Sequence, residues 1–442
     1  MSLFKLGTLG VPHLKNTAAS SAVRMAPPKE VKLPTSMHIG APARVTVKAG
    51  DEVFVGTTVA VAGGYVSSPV HSSVSGKVKK IDEILNIAGE KIPTVIIESD
   101  GLMTPDPAIA PPKIESLDDL CQAVRESGIV GLGGAGFPTA VKLDGAKSGG
   151  IRKLILNGAE CEPYITSDTR TMLDDAENIK AGVELLSEFI PFEEIHVGIE
   201  KNKGECIKKM TDVFSSDNRV VVHTLPDTYP QGAEKVLIYN TAGLVVPEGK
   251  LPSDVGVIVL NVTTVANIAK YVKSGMPLVE KCVTVDGSAI KEPKNVICPI
   301  GTPISELIGF VGGCLDEAGK ILYGGPMMGV AIYDAESPVL KNTNAITVLN
   351  DKDARQPAGH PCIHCGRCAS VCPIGLTPTE FAKAMNIDDH TARAEMLSDN
   401  KVNLCMECGC CSYICPSRRP LVQTNRLAKA ELREYKSKSP KE

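Results

Sequence analysis

Residues 362–416 carry the most specific pattern in the chain. They begin Cys362-Ile-His-Cys365-Gly-Arg-Cys368-Ala-Ser-Val-Cys372-Pro and end Cys405-Met-Glu-Cys408-Gly-Cys-Cys411-Ser-Tyr-Ile-Cys415-Pro. Both runs have the spacing C-x2-C-x2-C-x3-C-P, so the same arrangement of thiols occurs twice in succession. Such a repeat predicts two similar sites on one small helical domain, which we place at residues 355–420.

This spacing ligates [4Fe–4S] clusters in bacterial two-cluster ferredoxins. Three close thiolates reach three irons of one cubane, and the fourth cysteine, before a proline, reaches the cluster of the other run. The predicted ligand sets are therefore Cys362, Cys365, Cys368 and Cys415 for one cluster, and Cys405, Cys408, Cys411 and Cys372 for the other. The alternatives are weaker, because zinc would leave two cysteines of each run idle and disulfides suit small secreted chains. Cys410 is predicted to be a bystander.

Composition limits the class of protein. A length of 442 residues suggests about three or four domains, and a hydrophobic content of 43% predicts ample core. A net charge of −4 gives no reason to expect nucleic acid binding. The remaining seven cysteines are scattered, as in reduced thiols of a cytosolic protein. Neither a signal peptide nor a span long enough for a bilayer is evident, so any membrane association is predicted to be peripheral.

The first hundred residues divide into two parts. Residues 1–35 lack periodicity and predict an extended arm lying on another domain or a partner. Residues 36–100 alternate with period two and resemble the biotinyl/lipoyl-type β-sandwich. Its hairpin tip reads Val70-His-Ser-Ser-Val, without the lysine motif that carrier domains modify, so we predict a packing module.

A glycine-rich loop opens the next domain, predicted at residues 116–275. The stretch 128–142 contains Gly133, Gly134 and Gly136 and runs into a predicted helix, an arrangement that lets backbone N–H groups approach a phosphate. Glycines alone leave a nucleotide loop and an ordinary tight turn equally open. The following buried strand ends at Asn157-Gly-Ala-Glu-Cys-Glu-Pro, and α/β folds place ligands at such strand ends.

Two further segments precede and follow the cysteine domain. Short strands and the turn Gly324-Gly-Pro-Met-Met-Gly329 predict a β-grasp-like (SLBB-type) module at residues 280–345. The segment after Pro416 carries eight Lys or Arg against three Glu, so residues 421–442 form a basic tail. Such a tail is usually a solvated face, but it also suits an anionic bilayer or an acidic electron-transfer partner.

Taken together, these parts resemble a known family along nearly the whole chain. The order of His38-Ile-Gly-Ala-Pro, the sandwich, the glycine loop, Gly-Ala-Glu-Cys-Glu-Pro, Gly-Gly-Pro-Met-Met-Gly and eight cysteines is similar to that of the C subunit of the Rnf complex. This resemblance implies a membrane-bound ferredoxin:NAD+ oxidoreductase that pumps Na+ or H+. It also implies peripheral attachment on the cytoplasmic side of the cell membrane. The implied partners are NAD(H), the membrane subunits, the iron–sulfur B subunit and, indirectly, ferredoxin.

The central domain is also similar to the FMN- and NADH-binding subunit of respiratory complex I. That resemblance implies that Gly133, Gly134 and Gly136 approach the flavin and dinucleotide, that Lys142 and Asn157 bind FMN, and that Phe137 stacks on NADH. It places Glu160 and Glu162 at the nicotinamide as the catalytic pair. Tyr229, Glu234 and Asn261 fall in further cofactor-binding segments of that relative.

The implied function is electron transfer between NAD(H), FMN and two [4Fe–4S] clusters. The fold class is then multidomain, α/β and α+β, with a lipoyl-like sandwich, a Rossmann-like domain, a β-grasp-like module and a ferredoxin-like helical domain. One alternative is a flavin-less iron–sulfur relay or scaffold, which Ala159 and Ala233 favour because they replace acidic residues of the relative. The other is the electron-input subunit of a soluble hydrogenase or dehydrogenase, against which the arm and basic tail argue.

Overall fold

The computed structural model describes residues 6–438, which form four β-sheets and a C-terminal group of helices. Two antiparallel sheets make the first unit, with strand orders β2-β8-β7-β4 and β3-β5-β6. The first eight strands are β1 (Val23–Arg24), β2 (Glu30–Pro34), β3 (Arg44–Val45), β4 (Glu52–Val53), β5 (Thr58–Val61), β6 (Val70–His71), β7 (Gly76–Leu85) and β8 (Lys91–Ser99).

The predicted N-terminal arm is partly sheet, which corrects the boundary at residue 35. Strand β2 pairs with β8 of the sandwich, where Val31 and Leu33 are fully buried. Strand β1 pairs in parallel with Lys294–Pro299, far away in the sequence. These strands are too short to show a period, because β1 has two residues and β2 five. Residues 1–5 of the predicted arm lie outside the described residues.

The hairpin tip of the sandwich is buried between the other domains. Ser73 donates a hydrogen bond from Oγ to the carbonyl of Ile300 at 2.5 Å. Lys341 reaches the same junction, and its ammonium donates to Ser68 Oγ at 3.1 Å and to the carbonyls of Pro69 and Gly128. This placement supports a packing role for the tip.

Lys341→Met is expected to destabilise the fold more at pH 9 than at pH 7. Burial lowers the pKa of Lys341 to about 7 in the folded protein. Between this pH and the higher pKa of the same lysine in the unfolded chain, the unfolded chain binds more protons than the folded one. The free energy of unfolding of the wild type therefore rises with pH in this range. His38 and His71, which face this amine, stay neutral there because burial lowers their pKa to about 4 and about 3. Each carbonyl that loses its hydrogen-bond donor lowers the free energy of unfolding by about 1–3 kcal/mol. Thermal unfolding at both pH values measures it, with the exposed Lys291→Met as control; an equal loss at both would contradict the expectation.

The second unit is a parallel four-stranded sheet between helices, with strand order β11-β10-β9-β12. Ser116 caps its first helix by accepting the N–H of Asp119 at 3.1 Å, as the sequence predicts. The elements are α1 (Leu117–Glu126), α2 (Thr139–Asp144), β9 (Lys153–Asn157), α3 (Ser167–Asp174), α4 (Ala176–Phe189), β10 (Glu194–Glu200), α5 (Gly204–Val213), β11 (Val220–Leu225), α6 (Glu234–Ala242), β12 (Val257–Asn261) and α7 (Val262–Ser274).

The third unit is a mixed six-stranded sheet ordered β1-β14-β13-β17-β15-β16. Its central strands β13 and β17 are parallel, and each has an antiparallel neighbour. The elements are β13 (Glu280–Asp286), β14 (Lys294–Pro299), α8 (Ile304–Phe310), β15 (Ala318–Tyr323), β16 (Val330–Ala331), β17 (Ala345–Asn350) and α9 (Asp351–Ala354).

The C-terminal unit is helical. Its elements are α10 (Arg367–Ser370), α11 (Pro378–Ala384), α12 (His390–Asp399), α13 (Cys410–Tyr413) and α14 (Leu421–Lys438). Most of the predicted basic tail is α14, whose residues Leu421, Val422, Ala428 and Leu432 are buried. Its last four residues, 439–442, lie outside the described part. Within residues 6–438, no helix has the length and apolar character needed to cross a bilayer.

Candidate functional site

The eight predicted cluster cysteines surround two cavities. Cys372, Cys405, Cys408 and Cys411 line the first, here called the inner cavity. Cys362, Cys365, Cys368 and Cys415 line the second, here called the outer cavity. Each cavity thus takes three cysteines from one run and the fourth from the other, which is the grouping that the sequence predicts. Cys410 also borders the inner cavity but belongs to neither set of four.

Hydrogen-bond donors approach several of these sulfurs, as expected for thiolates that hold a cluster. The backbone N–H of Leu376 lies 3.2 Å from Cys372 Sγ, and that of His364 lies 3.4 Å from Cys362 Sγ. Asn425 Nδ2 approaches Cys405 Sγ at 3.4 Å. All 15 cysteines lie within the described residues, and all are free. Free thiols grouped in fours beside N–H donors are the ligand type that [4Fe–4S] clusters use.

The two cavities differ in exposure. Cys408 and Cys411 of the inner cavity are buried, whereas Cys365 of the outer cavity is exposed. Short helices begin beside each cavity, α10 after Gly366 and α13 after Gly409, and both glycines have a positive φ that favours glycine. Of the eight cysteines, the one that is exposed therefore lines the outer cavity.

The glycine loop lies at the carboxyl end of the parallel sheet. The carbonyl of Phe137 accepts the N–H of Gly131 at 2.8 Å, which closes the loop. A Cβ on Gly133 would lie 2.6 Å from Asn261 Nδ2, so only glycine allows this approach. Gly134 has open space where a side chain would point, and Gly136 has a φ of 71°. The exposed loop can thus present its backbone to a ligand without interference from side chains.

Several predicted cofactor-binding residues meet beside this loop. Asn157 and Asn261 end neighbouring strands and face each other in register. Lys142 forms an ion pair with Glu234 at 2.6 Å and also donates to the carbonyl of Val259 at 3.2 Å. Asn157 donates to the carbonyl of Gly232 at 3.0 Å, which joins the α6 loop to the same edge. These side chains, together with Gly133 and Gly134, form one polar surface, here called the loop edge.

Glu160 is held by the N-terminus of α3, and its predicted catalytic role stays a prediction. Its carboxylate accepts the N–H of Asp168 and the hydroxyl of Thr169, both at 2.8 Å, and the residue is 5% exposed. A carboxylate at the first turn of α3 stabilises the helix dipole. The residue lies three positions beyond the end of β9. In this structure the Glu160 carboxylate therefore stabilises the start of α3.

Glu160→Gln is expected to lower the free energy of unfolding by about 1–3 kcal/mol while leaving the reduction of bound flavin by NADH unchanged. The two hydrogen bonds end on different carboxylate oxygens, and glutamine replaces one of these acceptors with an NH2 donor, so it keeps only one of the two bonds. Urea unfolding and stopped-flow flavin absorbance measure the two effects, and Glu205→Gln, at an exposed position of α5, is the control. Loss of NADH reduction at unchanged stability would support the catalytic role.

Glu162 and Tyr229 each contact a neighbouring part of the protein from the α/β domain. The carboxylate of Glu162 accepts the N–H groups of Met327 and Met328 at 2.9 Å and 2.7 Å, and burial raises its pKa to about 7. The Tyr229 hydroxyl donates to the carbonyl of Cys408 at 2.7 Å. Tyr229 therefore connects the α/β domain to the cysteine domain, and Glu162 connects it to the turn at Met327 and Met328 of the third unit; the predicted roles of both residues at the cofactors stay predictions. Phe137 is half-buried in the glycine loop.

Family models match four consecutive parts of the chain. The "RnfC Barrel sandwich hybrid domain" covers residues 4–102, and the "Nuo51 FMN-binding domain" covers 124–270. An "SLBB domain" covers 282–331 and a "4Fe-4S dicluster domain" covers 358–418. The match over 124–270 contains the loop edge, and the match over 358–418 contains all eight predicted cluster cysteines.

Curated proteins match almost the entire chain. The C subunit of the Na(+)-translocating ferredoxin:NAD(+) oxidoreductase complex of Acetobacterium woodii is 42% identical over 85% of this chain and 86% of its own. The chain belongs to the RnfC family. Two other members are the corresponding subunit of the proton-translocating complex of Clostridium ljungdahlii, 40% identical over 83% of this chain and 80% of its own, and that of the ion-translocating oxidoreductase complex of Rhodobacter capsulatus, 37% identical over 96% and 82%.

A solved structure shares the fold of this RnfC chain. The NAD+-reducing [NiFe]-hydrogenase in its H2-reduced state superposes with a TM-score of 0.51 at 19% identity, over 72% of this chain and 63% of the hydrogenase chain. At this identity the likeness concerns the fold alone. The predicted fold class is thereby confirmed at the coarser level: a mixed α/β multidomain protein with a barrel-sandwich hybrid, an FMN-domain fold and a cluster domain.

Several residues that build this RnfC site carry no local signal in the sequence. Lys281 is buried and donates to the carbonyl of Leu132 at 2.6 Å, beneath the glycine loop. Asn342 donates to the carbonyl of Gly134 at 2.7 Å. Asp168 accepts from Asn261 Nδ2 at 2.7 Å, and burial raises its pKa to about 6. Each joins segments far apart in the chain, and no short motif contains both partners.

Proposed function

We propose that this chain is the NAD(H)-reactive subunit of an ion-translocating ferredoxin:NAD+ oxidoreductase and passes electrons between NAD(H), FMN and two [4Fe–4S] clusters. The observation that carries the proposal is that Tyr229, three residues before the Gly232 carbonyl that Asn157 of the loop edge contacts, donates a hydrogen bond to the carbonyl of Cys408 at the inner cavity. FMN, when bound, accepts the two electrons of a hydride and releases them one at a time. The chain would act as a peripheral subunit on the cytoplasmic side of the cell membrane, with the membrane subunits and the B subunit as partners.

The residues of the loop edge provide what a flavin site needs. Lys142 supplies a cation, Asn157 and Asn261 supply amide groups, and Gly133 and Gly134 supply accessible backbone N–H groups. Gly136 and Phe137 complete the loop on the side proposed for the dinucleotide. Glu234 holds the Lys142 ammonium at 2.6 Å, which fixes the position of that cation.

The cysteines hold the clusters in the order that their burial suggests. The inner set, Cys372, Cys405, Cys408 and Cys411, would exchange electrons with the flavin because Tyr229 joins it to the α/β domain. The outer set, Cys362, Cys365, Cys368 and Cys415, would exchange electrons with a partner subunit because Cys365 is exposed. We also propose the finer fold assignments, which are a lipoyl-like sandwich, a Rossmann-like domain, a β-grasp-like module with parallel central strands, and a ferredoxin-like helical domain.

The experiment that tests this function is an anaerobic NADH titration of the full-length, cluster-reconstituted protein. Flavin absorbance and cluster EPR are followed together, and acid extraction identifies the flavin. We expect FMN to be extracted and to bleach on addition of NADH. A protein whose clusters accept electrons from dithionite, but which yields no flavin and does not respond to NADH, would instead be the iron–sulfur relay that Ala159 and Ala233 suggest.

A further inference from the structure

Residues 7–17, here called the strap, run from the inner cavity to the loop that follows β9. Leu9 and Tyr229 exchange two backbone hydrogen bonds, of 2.9 Å and 2.8 Å. The carbonyl of His13 accepts the N–H of Tyr164 at 3.1 Å. At the far end, the carbonyl of Thr17 accepts from Asn295 Nδ2 at 3.2 Å. The strap is thus hydrogen-bonded along its length to the α/β domain and the six-stranded sheet.

Lys15 ties the strap to the loop at residues 160–165. Its ammonium donates to the carbonyls of Glu160, Glu162 and Ile165 at 2.7 Å, 2.7 Å and 2.6 Å. An ammonium has three N–H bonds, so this group is fully used in holding one loop. Hydrogen bonds from a charged donor are stronger than neutral ones. Lys15 therefore fixes the loop at residues 160–165, which carries Glu162.

That loop also leads to the inner cavity. Glu162 accepts hydrogen bonds from the N–H groups of Met327 and Met328. The carbonyl oxygen of Met327 lies against Gly409, where a Cβ on Gly409 would be 2.7 Å from it. Gly409 lies between Cys408 and Cys411, in the second cysteine run. The contacts from Lys15 to the cysteine run are therefore continuous.

The beginning of the strap reaches the inner cavity directly. A Cβ on Gly7 would lie 2.5 Å from the carbonyl oxygen of Cys372, so the two backbones are in contact. Leu9 holds Tyr229, whose hydroxyl donates to the carbonyl of Cys408. The strap consequently contacts Cys372 from one side and supports the residues that contact Cys408 and Gly409 from the other.

We propose that the strap sets the separation between the flavin site and the inner cluster, with Lys15 as its positioning residue. This inference rests on the proposed function. The step concerned is the transfer of single electrons between the inner cluster and FMN, in which the donor is oxidised and the acceptor reduced by one electron and no bond is broken. The rate of such a transfer falls steeply with distance, so a segment tied to both sites controls it.

Gly7→Ala and Gly10→Ala form a matched pair for the test. The first places a methyl group against the Cys372 backbone, whereas the second meets nothing within 4 Å. The full-length protein, loaded with FMN and clusters and chemically reduced, is mixed with excess NAD+, and the decay of the cluster signal is followed by freeze-quench EPR. We expect slower decay in the Gly7→Ala protein, up to about 100-fold, which is the scale of a 1 Å misplacement of reacting groups. The Gly10→Ala protein should match the wild type.

Hydrogen exchange supplies a readout that does not depend on activity. The amides of Leu9 and Tyr229 should lose protection in Gly7→Ala and in Lys15→Met, and keep it in Gly10→Ala and in Lys29→Met, which alters an exposed lysine. The rate at which NADH bleaches the flavin should not change. Cluster decay as fast in Gly7→Ala as in Gly10→Ala, with both amides protected, would overturn the proposal. If the Lys15→Met protein does not fold, the comparison of Gly7→Ala with Gly10→Ala decides the test alone. If NADH does not reduce the flavin of the wild-type protein, the proposed function is refuted instead.

Discussion

Cys372→Ala is expected to remove the inner cluster, although Cys372 belongs to the first cysteine run. One iron of that cubane then has no protein ligand, because Cys372 is the only residue of the first run among the four cysteines predicted for the inner cluster. Iron content should fall to about half of the two-cluster value. NADH should still bleach the flavin, but electrons should no longer reach the outer cluster. Iron analysis and EPR of the anaerobically purified protein measure these effects.

Two double variants show which cysteines act together. Cys372→Ala combined with Cys405→Ala should keep one cluster, because both changes affect the inner set. Cys372→Ala combined with Cys362→Ala should lose both clusters. Pairing of cysteines within each run would give the opposite results. Cys410→Ala is the matched control in the same cavity and should keep both clusters.

The cysteine sets could be predicted because the information is local. A spacing of two or three residues fixes which thiols reach one cubane, and the proline after Cys372 or Cys415 turns the chain toward the other run. The strand end at Asn157 could be predicted for a similar reason, since a run of buried residues precedes it. The three close cysteines of each run and the strand end depend on neighbours in the sequence, whereas the fourth cysteine of each set comes from the other run and follows from the repeat of the same spacing.

The roles of Glu160, Glu162 and Lys15 could not be predicted in this way. Which side of the sheet Glu160 faces depends on how the chain turns after β9, and its partners become evident only when α3 has been placed. The partners of Glu162 lie in the third unit, 165 and 166 residues away. Lys15 is a single lysine in a segment without periodicity, and its three acceptors are backbone carbonyls, which leave no trace in side-chain sequence.

Lys142→Met is expected to weaken FMN binding by about 10- to 100-fold, since a hydrogen bond to a charged group contributes about 1.5–3 kcal/mol. Lys142 supplies the cation of the loop edge, and its ammonium is already positioned by Glu234 at 2.6 Å and by the carbonyl of Val259 at 3.2 Å. A methionine fills a similar volume without charge. Flavin content after desalting and quenching of FMN fluorescence on titration into the flavin-free protein measure the change.

The comparison of two further variants separates charge from packing. Lys142→Arg keeps the cation and should recover part of the affinity, although a planar guanidinium does not reproduce the geometry of an ammonium. Lys250→Met removes an exposed lysine and should bind FMN like the wild type. Full FMN affinity in Lys142→Met would mean that this lysine serves only to hold Glu234 and Val259 together. The flavin would then depend on the glycine loop and the two asparagines, which the same titration on Asn157→Ala would test.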